Sequence, residues 1–374
     1  MKIIIAPDSY KGSLSAKEVG VTIMKAFSSE ISEAEVTVIP MADGGEGTID
    51  ALVYATGGKT QSIEVLGPLL KPVSTFYGII NKQTAVIETA NIAGLPMLAK
   101  EERNPMQTST YGIGQAILSA LDQGFRRFII GLGGSATNDG GMGMLQALGA
   151  VFWDAQNQPL SPVASSLGKV AKADLSSLDA RVFESEILVA SDVNNPLCGD
   201  HGATNVFGPQ KGATADQLEL LESGMKNYAA RIEEHLGDSL QNVPGAGAAG
   251  GLGFAFLLLR AKIKSGAELI ADLVRLEEKI ATADWVITGE GKTDFQTQYG
   301  KLPIFVAKLA QKHGAKALLL SGSIEPGAEA LTDHFVSLHS IIRSPISLEE
   351  AMKKTKPLLF ETARNLARLI KLCS

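Results

Sequence analysis

Charged, hydroxyl and glycine residues cluster at several points of this chain. The densest cluster is Gly131-Leu-Gly133-Gly134-Ser135-Ala136-Thr137-Asn138-Asp139-Gly140-Gly141, which follows Phe128-Ile-Ile. An apolar run ending in glycines and short polar residues predicts a buried strand, a tight loop, and a helix from Met142 to Leu148. Glycines let the backbone approach a phosphate, and amides at a helix start are free to donate to it. A bare turn has no need of Ser135, Thr137, Asn138 and Asp139, so this loop is expected to hold an anion or a nucleotide. Gly131-x-Gly133-x-x-Ala136 also fits the alanine form of the dinucleotide fingerprint, with Asp154 near the distance at which a ribose is met. A nicotinamide cofactor is therefore an open alternative. Gly140, Gly141 and Gly143 weigh against it, since each weakens the following helix by about 1 kcal/mol.

Other loops carry related chemistry. Lys11, in Pro7-Asp8-Ser9-Tyr10-Lys11-Gly12-Ser13, precedes a helix whose start is marked by Ser15 and Glu18 in capping-box spacing. A lysine there opposes the helix dipole, which makes sense if an anion shares the pocket. Asp43 and Glu46, in a glycine corner after the strand Val36 to Ile39, are expected to contact substrate or magnesium. Asp192-Val-Asn194-Asn195-Pro196 offers one charge and several neutral oxygens, suited to a hard cation or to substrate hydroxyls. Lys211, bracketed by glycines in Phe207-Gly-Pro-Gln-Lys-Gly212, is a second phosphate candidate. Thr288-Gly289-Glu290-Gly291-Lys292-Thr293-Asp294 resembles the end of a Walker A sequence, but Val286 stands where the leading glycine is required. Glu290 and Asp294, with Lys292 between and Lys301 beyond, suit magnesium and phosphate oxygens, the charge placement that phosphoryl transfer requires. The run Pro244 to Gly253 has almost no side chains and permits close approach of a ligand or a packed neighbour.

The elements that must position these loops follow an α/β rhythm at both ends of the chain. Strands are expected at Lys2 to Ala6, Val36 to Ile39, Ile187 to Ser191, Trp285 to Thr288 and Ala317 to Leu320. Helices are expected at Ile49 to Ala55, Thr110 to Leu121, Asp216 to Leu236, Phe254 to Ala261, Pro303 to His313 and Leu358 to Leu372. Between Gln61 and Glu88 the alternation reads as an antiparallel meander, which breaks the βαβ pattern. The expected organisation is one α/β domain from residues 1–60 and 281–374, with residues 61–280 inserted and the site in a cleft that closes on its ligands.

Composition sets the class. The 374 residues exceed one ordinary core, and 45% hydrophobic with 20% charged residues and 39 glycines is usual for an α/β enzyme rich in tight turns. A net charge of -6 argues against nucleic acid as a partner. Cys198 and Cys373 form neither a metal-ligand spacing nor a disulfide framework. No apolar stretch is long enough for a membrane span or a signal peptide, so the chain reads as cytoplasmic. Oligomeric state is not legible.

Seven segments together carry a resemblance: Ala6 to Ser13, Ala42-Asp-Gly-Gly-Glu-Gly-Thr48, Gly131 to Gly141, Ser191-Asp192 with Asn195-Pro196-Leu197, Phe207 to Gly212, Gly245 to Gly251, and Thr288 to Asp294. In these the chain closely resembles the bacterial type I glycerate kinase family over nearly its whole length, with Tyr10 in place of an expected Phe. The resemblance implies a flavodoxin-like (Rossmann-like) three-layer domain carrying an inserted mixed α/β domain. It also implies ATP- and Mg2+-dependent phosphorylation of D-glycerate at the 2-hydroxyl. On that basis Asp192 is expected as base or metal ligand, with Glu290 and Asp294 as further metal ligands and Lys11 and Lys211 as clamps. Ser13, Gly133, Gly134, Ser135, Thr137, Gly289 and Lys292 are then expected at the nucleotide, and Asp8, Asp43, Asn138, Asn194 and Asn195 at glycerate. Composition and spacing do not themselves show that substrate. An NAD(P)-dependent oxidoreductase of a small hydroxy acid, or a non-catalytic organic-acid-binding protein, remains the alternative from the residues alone.

Overall fold

The computed structural model describes residues 1–236, 239–295, 297 and 301–372; Cys373 lies outside them. The chain divides into two compact units. The first is Met1–Asp43, Asp50–Gly58 and Ala267–Ser374, and the second is Gly44–Ile49 and Lys59–Gly266.

In the first unit a five-stranded sheet is parallel throughout. Its spatial order is Ser337–Ser340, Lys316–Ser321, Trp285–Thr288, Lys2–Ile5, Glu35–Val38. Counted along the chain this is 2-1-3-4-5, so the winding reverses between Lys2–Ile5 and Trp285–Thr288. Ligands of such sheets sit outside the strand ends at that reversal. The loops leaving those two strands are the ones that begin at Ala6 and Gly289, and they touch there: the Asp8 amide donates to the Gly289 carbonyl at 2.9 Å.

The helix Ala16–Glu30 starts with the expected capping box. Ser15 Oγ accepts the Glu18 amide, and the Glu18 carboxylate accepts the Ser15 amide. Its buried positions Val19, Ile23, Ala26 and Phe27 follow the helical repeat and join Leu359, Ala363, Leu366 and Ile370 of the C-terminal helix Thr355–Leu372 in one core. The edge strand Ser337–Ser340 escapes sequence reading because it is short, polar and only half-buried.

The second unit holds a six-stranded mixed sheet ordered Lys262–Lys264, Glu186–Ala190, Arg127–Gly131, Thr84–Glu88, Pro72–Ile80, Lys59–Leu66. The first four strands are parallel and the last three form an antiparallel meander. Its core includes Tyr228, which lies between Phe152 and Phe254 at ring separations of 5.7 and 6.0 Å.

Two segments fall on the other side of the boundaries read from the sequence. Residues 44–49 group with the second unit because Gly44 and Gly45 lie against Gly131 and Gly133, and because Glu88 accepts the amides of Gly47 (3.4 Å) and Ile49. Residues 267–280 group with the first unit, where Lys312 and His313 reach Glu277 at 2.6 and 2.9 Å. Among the described residues no helix is long and apolar enough to cross a membrane.

Candidate functional site

In the first unit the reversal point gathers Asp8, Lys11, Asp43 and Glu290. The short strand Lys2–Ile5 is buried from Ile3 onward, so the chain emerges with Asp8 still enclosed, 9% exposed. Its Oδ1 accepts the Ser9 amide at 2.6 Å. Burial first, and then the Asp43 charge, push the Asp8 carboxyl up to about 7, while the Lys11 ammonium pulls it down. Lys11 Nζ lies 3.3 Å from Asp43 Oδ2, and that carboxylate holds the ammonium above its usual range.

Glu290 is buried and accepts the hydroxyls of Thr293 and Thr297 at 3.2 and 2.7 Å; burial raises its pKa. Asp43 and Glu290 repel the Asp8 charge and Lys11 attracts it, and a bound cation would relieve the remaining repulsion.

Gly289 and Gly291 serve this unit by their size. A Cβ at Gly289 would come within 1.7 Å of the Leu320 carbonyl, and one at Gly291 within 3.2 Å of the Tyr10 Cα. Three residues expected at the ligand are otherwise engaged. Ser13 Oγ lies 2.6 Å from Thr355 Oγ1, to which it donates, and 3.1 Å from Met352 O, which ties the loop to the start of the C-terminal helix. Lys292 lies on the two-residue strand Lys292–Thr293 and pairs with Glu325 at 2.8 Å in the open. Asp294 faces Lys301 at 3.5 Å.

In the second unit the strand Arg127–Gly131 ends where expected and the helix Met142–Ala147 begins where expected. The loop between them differs from an open phosphate cradle. A Cβ at Gly131 would fall 2.6 Å from the Gly44 carbonyl and one at Gly133 2.4 Å from the Gly45 Cα, and the Gly133 amide donates to Gly44 O at 3.1 Å. Those glycines admit another chain segment. Gly134 takes a left-handed φ of 75° and returns the chain toward Ala90. Asp139 is wholly internal: it accepts the amide and hydroxyl of Thr110, both at 2.8 Å, and the amides of Gly141 and Gly143. The dinucleotide reading fails here, because the fingerprint needs a helix opening directly on its glycines, whereas ten residues separate this strand from a six-residue helix.

What the loop does carry is a buried polar corner. Lys211 is 2% exposed and its Nζ donates to Ser135 Oγ at 3.0 Å and to Thr137 O at 2.6 Å. Among the described residues no carboxylate bonds to it. Burial brings its pKa down to about 7 against the opposing pull of Asp139. Asn138 Nδ2 donates to Thr204 Oγ1 at 2.9 Å, while Asn138 Oδ1 and Thr137 Oγ1 are buried with no partner among the described residues.

An enclosed ammonium costs stability. A folded-state pKa near 7 against an unfolded value near 10.4 is worth on the order of 4 kcal/mol. Lys211→Met removes that cost but leaves Thr137 O without its donor, about 1–3 kcal/mol. The variant is therefore expected to melt higher than the parent at pH 6–7. Between pH 7 and 10 the unfolded chain binds the extra proton, so parental stability rises with pH and the gap between the two melting curves narrows. Equal or lower melting temperatures for the variant at pH 6 contradict this account.

Asp192 follows the strand Glu186–Ala190, is exposed, and its Oδ1 accepts the Gly266 amide at 2.9 Å. Asn195 Nδ2 donates to His201 O, the Asn195 carbonyl accepts the Gly247 amide, and Asn194 is exposed. The glycine run beyond packs against these loops. A Cβ at Gly247 would lie 2.2 Å from Pro196 O and one at Gly250 2.0 Å from Thr137 O. Ala249, Gly250 and Gly251 are all left-handed, which bends the chain sharply before the helix proper.

Glu88 is the residue sequence reasoning passed over. It is 2% exposed at the end of the otherwise apolar strand Thr84–Glu88 and grips the 44–49 segment through the two amides noted above. A lone charge closing a wholly buried strand was the available signal.

Among the described residues no three His, Cys, Asp or Glu side chains are arranged to hold a metal by themselves. Magnesium is usually held by one or two carboxylates, with phosphate and water oxygens completing its shell. The buried, under-compensated Asp8 and Glu290 fit that role; Asp294, facing Lys301, fits it less well.

A parallel sheet with acidic and basic loops at its reversal point, joined in one chain to a second unit built on a mixed sheet, makes this a mixed α/β protein. The crystal structure of a candidate glycerate kinase 2 from Salmonella typhimurium LT2 matches it with a TM-score of 0.88 at 42% identity, covering 100% of this chain and 98% of the other. A glycerate kinase of Bacillus subtilis (strain 168) is 45% identical over 100% of this chain and 98% of its own length. A glycerate 2-kinase of Escherichia coli (strain K12) is 42% identical over 98% and 97%. The profile of the glycerate kinase family matches residues 3–371, and the chain belongs to that family.

Proposed function

We propose that this protein transfers the γ-phosphoryl group of ATP to the 2-hydroxyl of D-glycerate, with magnesium accompanying the nucleotide. The observation that carries this reading is the full-length similarity to proteins named glycerate kinase and glycerate 2-kinase. The 2-1-3-4-5 sheet supports reading the first unit as a flavodoxin-like domain, and the mixed sheet of the second as the insertion.

Asp8 and Glu290 would hold magnesium, which when bound draws charge from the phosphate oxygens. Lys11 neutralises phosphate charge, and Lys211 supplies a cation in a water-poor corner. Asp192, exposed just beyond the strand Glu186–Ala190 with the Gly266 amide on its Oδ1, accepts the proton of the attacking hydroxyl.

A coupled ADP-release assay with glycerate, with and without magnesium, tests the activity, and phosphorus NMR of the product distinguishes 2- from 3-phosphoglycerate. No ADP release with glycerate at any magnesium concentration would end the proposal.

Lys11→Met is expected to raise the KM for ATP or glycerate, or to lower kcat, with a change in melting temperature close to zero. The Lys11–Asp43 pair is exposed, with side-chain accessibilities of 69% and 37%, and such pairs contribute about 0–1 kcal/mol. Unchanged kinetics would take Lys11 out of the site.

A further inference from the structure

The corner around Lys211 has unspent capacity of a definite kind. Two of the three donors of a charged Lys211 go to Ser135 Oγ and Thr137 O. Among the described residues the Thr137 hydroxyl has no partner, and Asn138 Oδ1, a pure acceptor, has none either. Thr137 and Asn138 are 0% exposed, and Ser135, at 7%, is where the group comes nearest to solvent. Buried polar atoms without partners are rare and costly, at about 1–3 kcal/mol each. Their coincidence beside a lysine that bonds to no carboxylate calls for a ligand that supplies acceptors to the lysine and the threonine, and a hydroxyl donor to the asparagine.

Resting on the kinase reading above, we propose that this corner seats the acceptor as a hydroxy acid: its carboxylate on Lys211 and Thr137, and its non-reacting hydroxyl on Asn138 Oδ1. The three requirements match one small molecule class. Inorganic phosphate at neutral pH would satisfy the lysine and the threonine and serve Asn138 Oδ1 less well, because its hydroxyl hydrogens are fewer and compete with its charge. A nucleobase would leave the ammonium unanswered. The corner therefore selects for a carboxylate with a neighbouring hydroxyl, and discriminates against acids that lack the second hydroxyl.

Thr137→Val keeps the shape and deletes the hydroxyl. Because that hydroxyl has no partner in the free protein, the variant is expected to melt at the parental temperature or above it. Its KM for glycerate is expected to rise roughly ten- to a hundredfold with the KM for ATP unchanged. Calorimetric titration with glycerate should show the same loss, independent of turnover. Lactate, which lacks the 3-hydroxyl, is expected to bind the parent at least tenfold more weakly than glycerate, and Asn138→Ala should erase that preference.

A lowered melting temperature of Thr137→Val with an unchanged glycerate KM would mean that an ordered water satisfies the hydroxyl, which overturns the inference while the kinase reading stands. A parent protein that releases no ADP with glycerate would fail the kinase reading itself, and this inference with it.

Discussion

Asp192→Asn should fold as the parent does and lose ~10²- to 10⁴-fold in kcat, the contribution of a positioned general base. The structure makes this a clean substitution. The carboxylate Oδ1 accepts the Gly266 amide at 2.9 Å, and an asparagine Oδ1 accepts it equally well, so that hydrogen bond survives while the negative charge and the capacity to take a proton are lost. If Asp192 is the base, kcat falls and the magnesium requirement is nearly unchanged. If it anchors magnesium, the requirement rises and excess metal restores part of the rate. Asp192→Asn with most of its activity at every magnesium concentration would reduce Asp192 to a capping residue for the helix Gly266–Leu273.

The second large effect belongs to Asp8. Burial and the neighbouring Asp43 hold its pKa near 7 rather than at the ordinary 3.8. Between those values the folded protein binds a proton that the unfolded chain releases, so stability falls as pH rises from about 4 to about 7, by on the order of 4 kcal/mol. Asp8→Asn keeps an acceptor for the Ser9 amide and removes the cost. Its melting temperature should match the parent near pH 4, exceed it by several degrees at pH 8, and stop diverging above pH 7.

The same substitution should depress kcat/KM by two orders of magnitude or more, because a group retained at such expense is retained for what its charge does. The parental kcat/KM should pass through a maximum near pH 7, with an acid limb set by Asp8 ionising and an alkaline limb set by Lys211 losing its proton, and Asp8→Asn should lose the acid limb. A variant that is neither more stable at pH 8 nor less active would show that the carboxylate is compensated in a way the geometry does not reveal.

Lys211 and Asp8 thus share a signature: enclosed charges whose removal is expected to stabilise the fold. Stability and activity pull in opposite directions at such places, and measuring both separates them from residues that only pack.

Much of this was readable one residue at a time. Ser15 and Glu18 sit three apart before an apolar repeat, and that local spacing suffices to start a helix, as it does at Ala16. Phe128 to Gly131 is apolar and then abruptly glycine, and the strand ends there. The meander between Lys59 and Glu88 follows from period-two alternation and short turns. The family follows from seven motifs whose residue types are written in the chain.

Tertiary structure alone decided what the glycines and charges are for. The sequence of Gly131 and Gly133 suits a close approach of phosphate, yet in the fold they make room for Gly44 and Gly45, nearly ninety residues earlier; a sequence cannot say which partner fills a space left by a missing Cβ. Asp8, Asp139 and Asp192 are all aspartates next to apolar strands or glycine loops. One is enclosed beside other carboxylates, one accepts from four donors, and one is exposed and accepts the Gly266 amide. Their difference lies in the dielectric and the donors that distant segments bring, and those are set only when the sheets have formed. Lys211 shows the same thing most sharply: its glycine-bracketed loop announced a lysine of interest, but its burial against Ser135 and Thr137, and the two unanswered atoms beside it, exist only in the folded second unit.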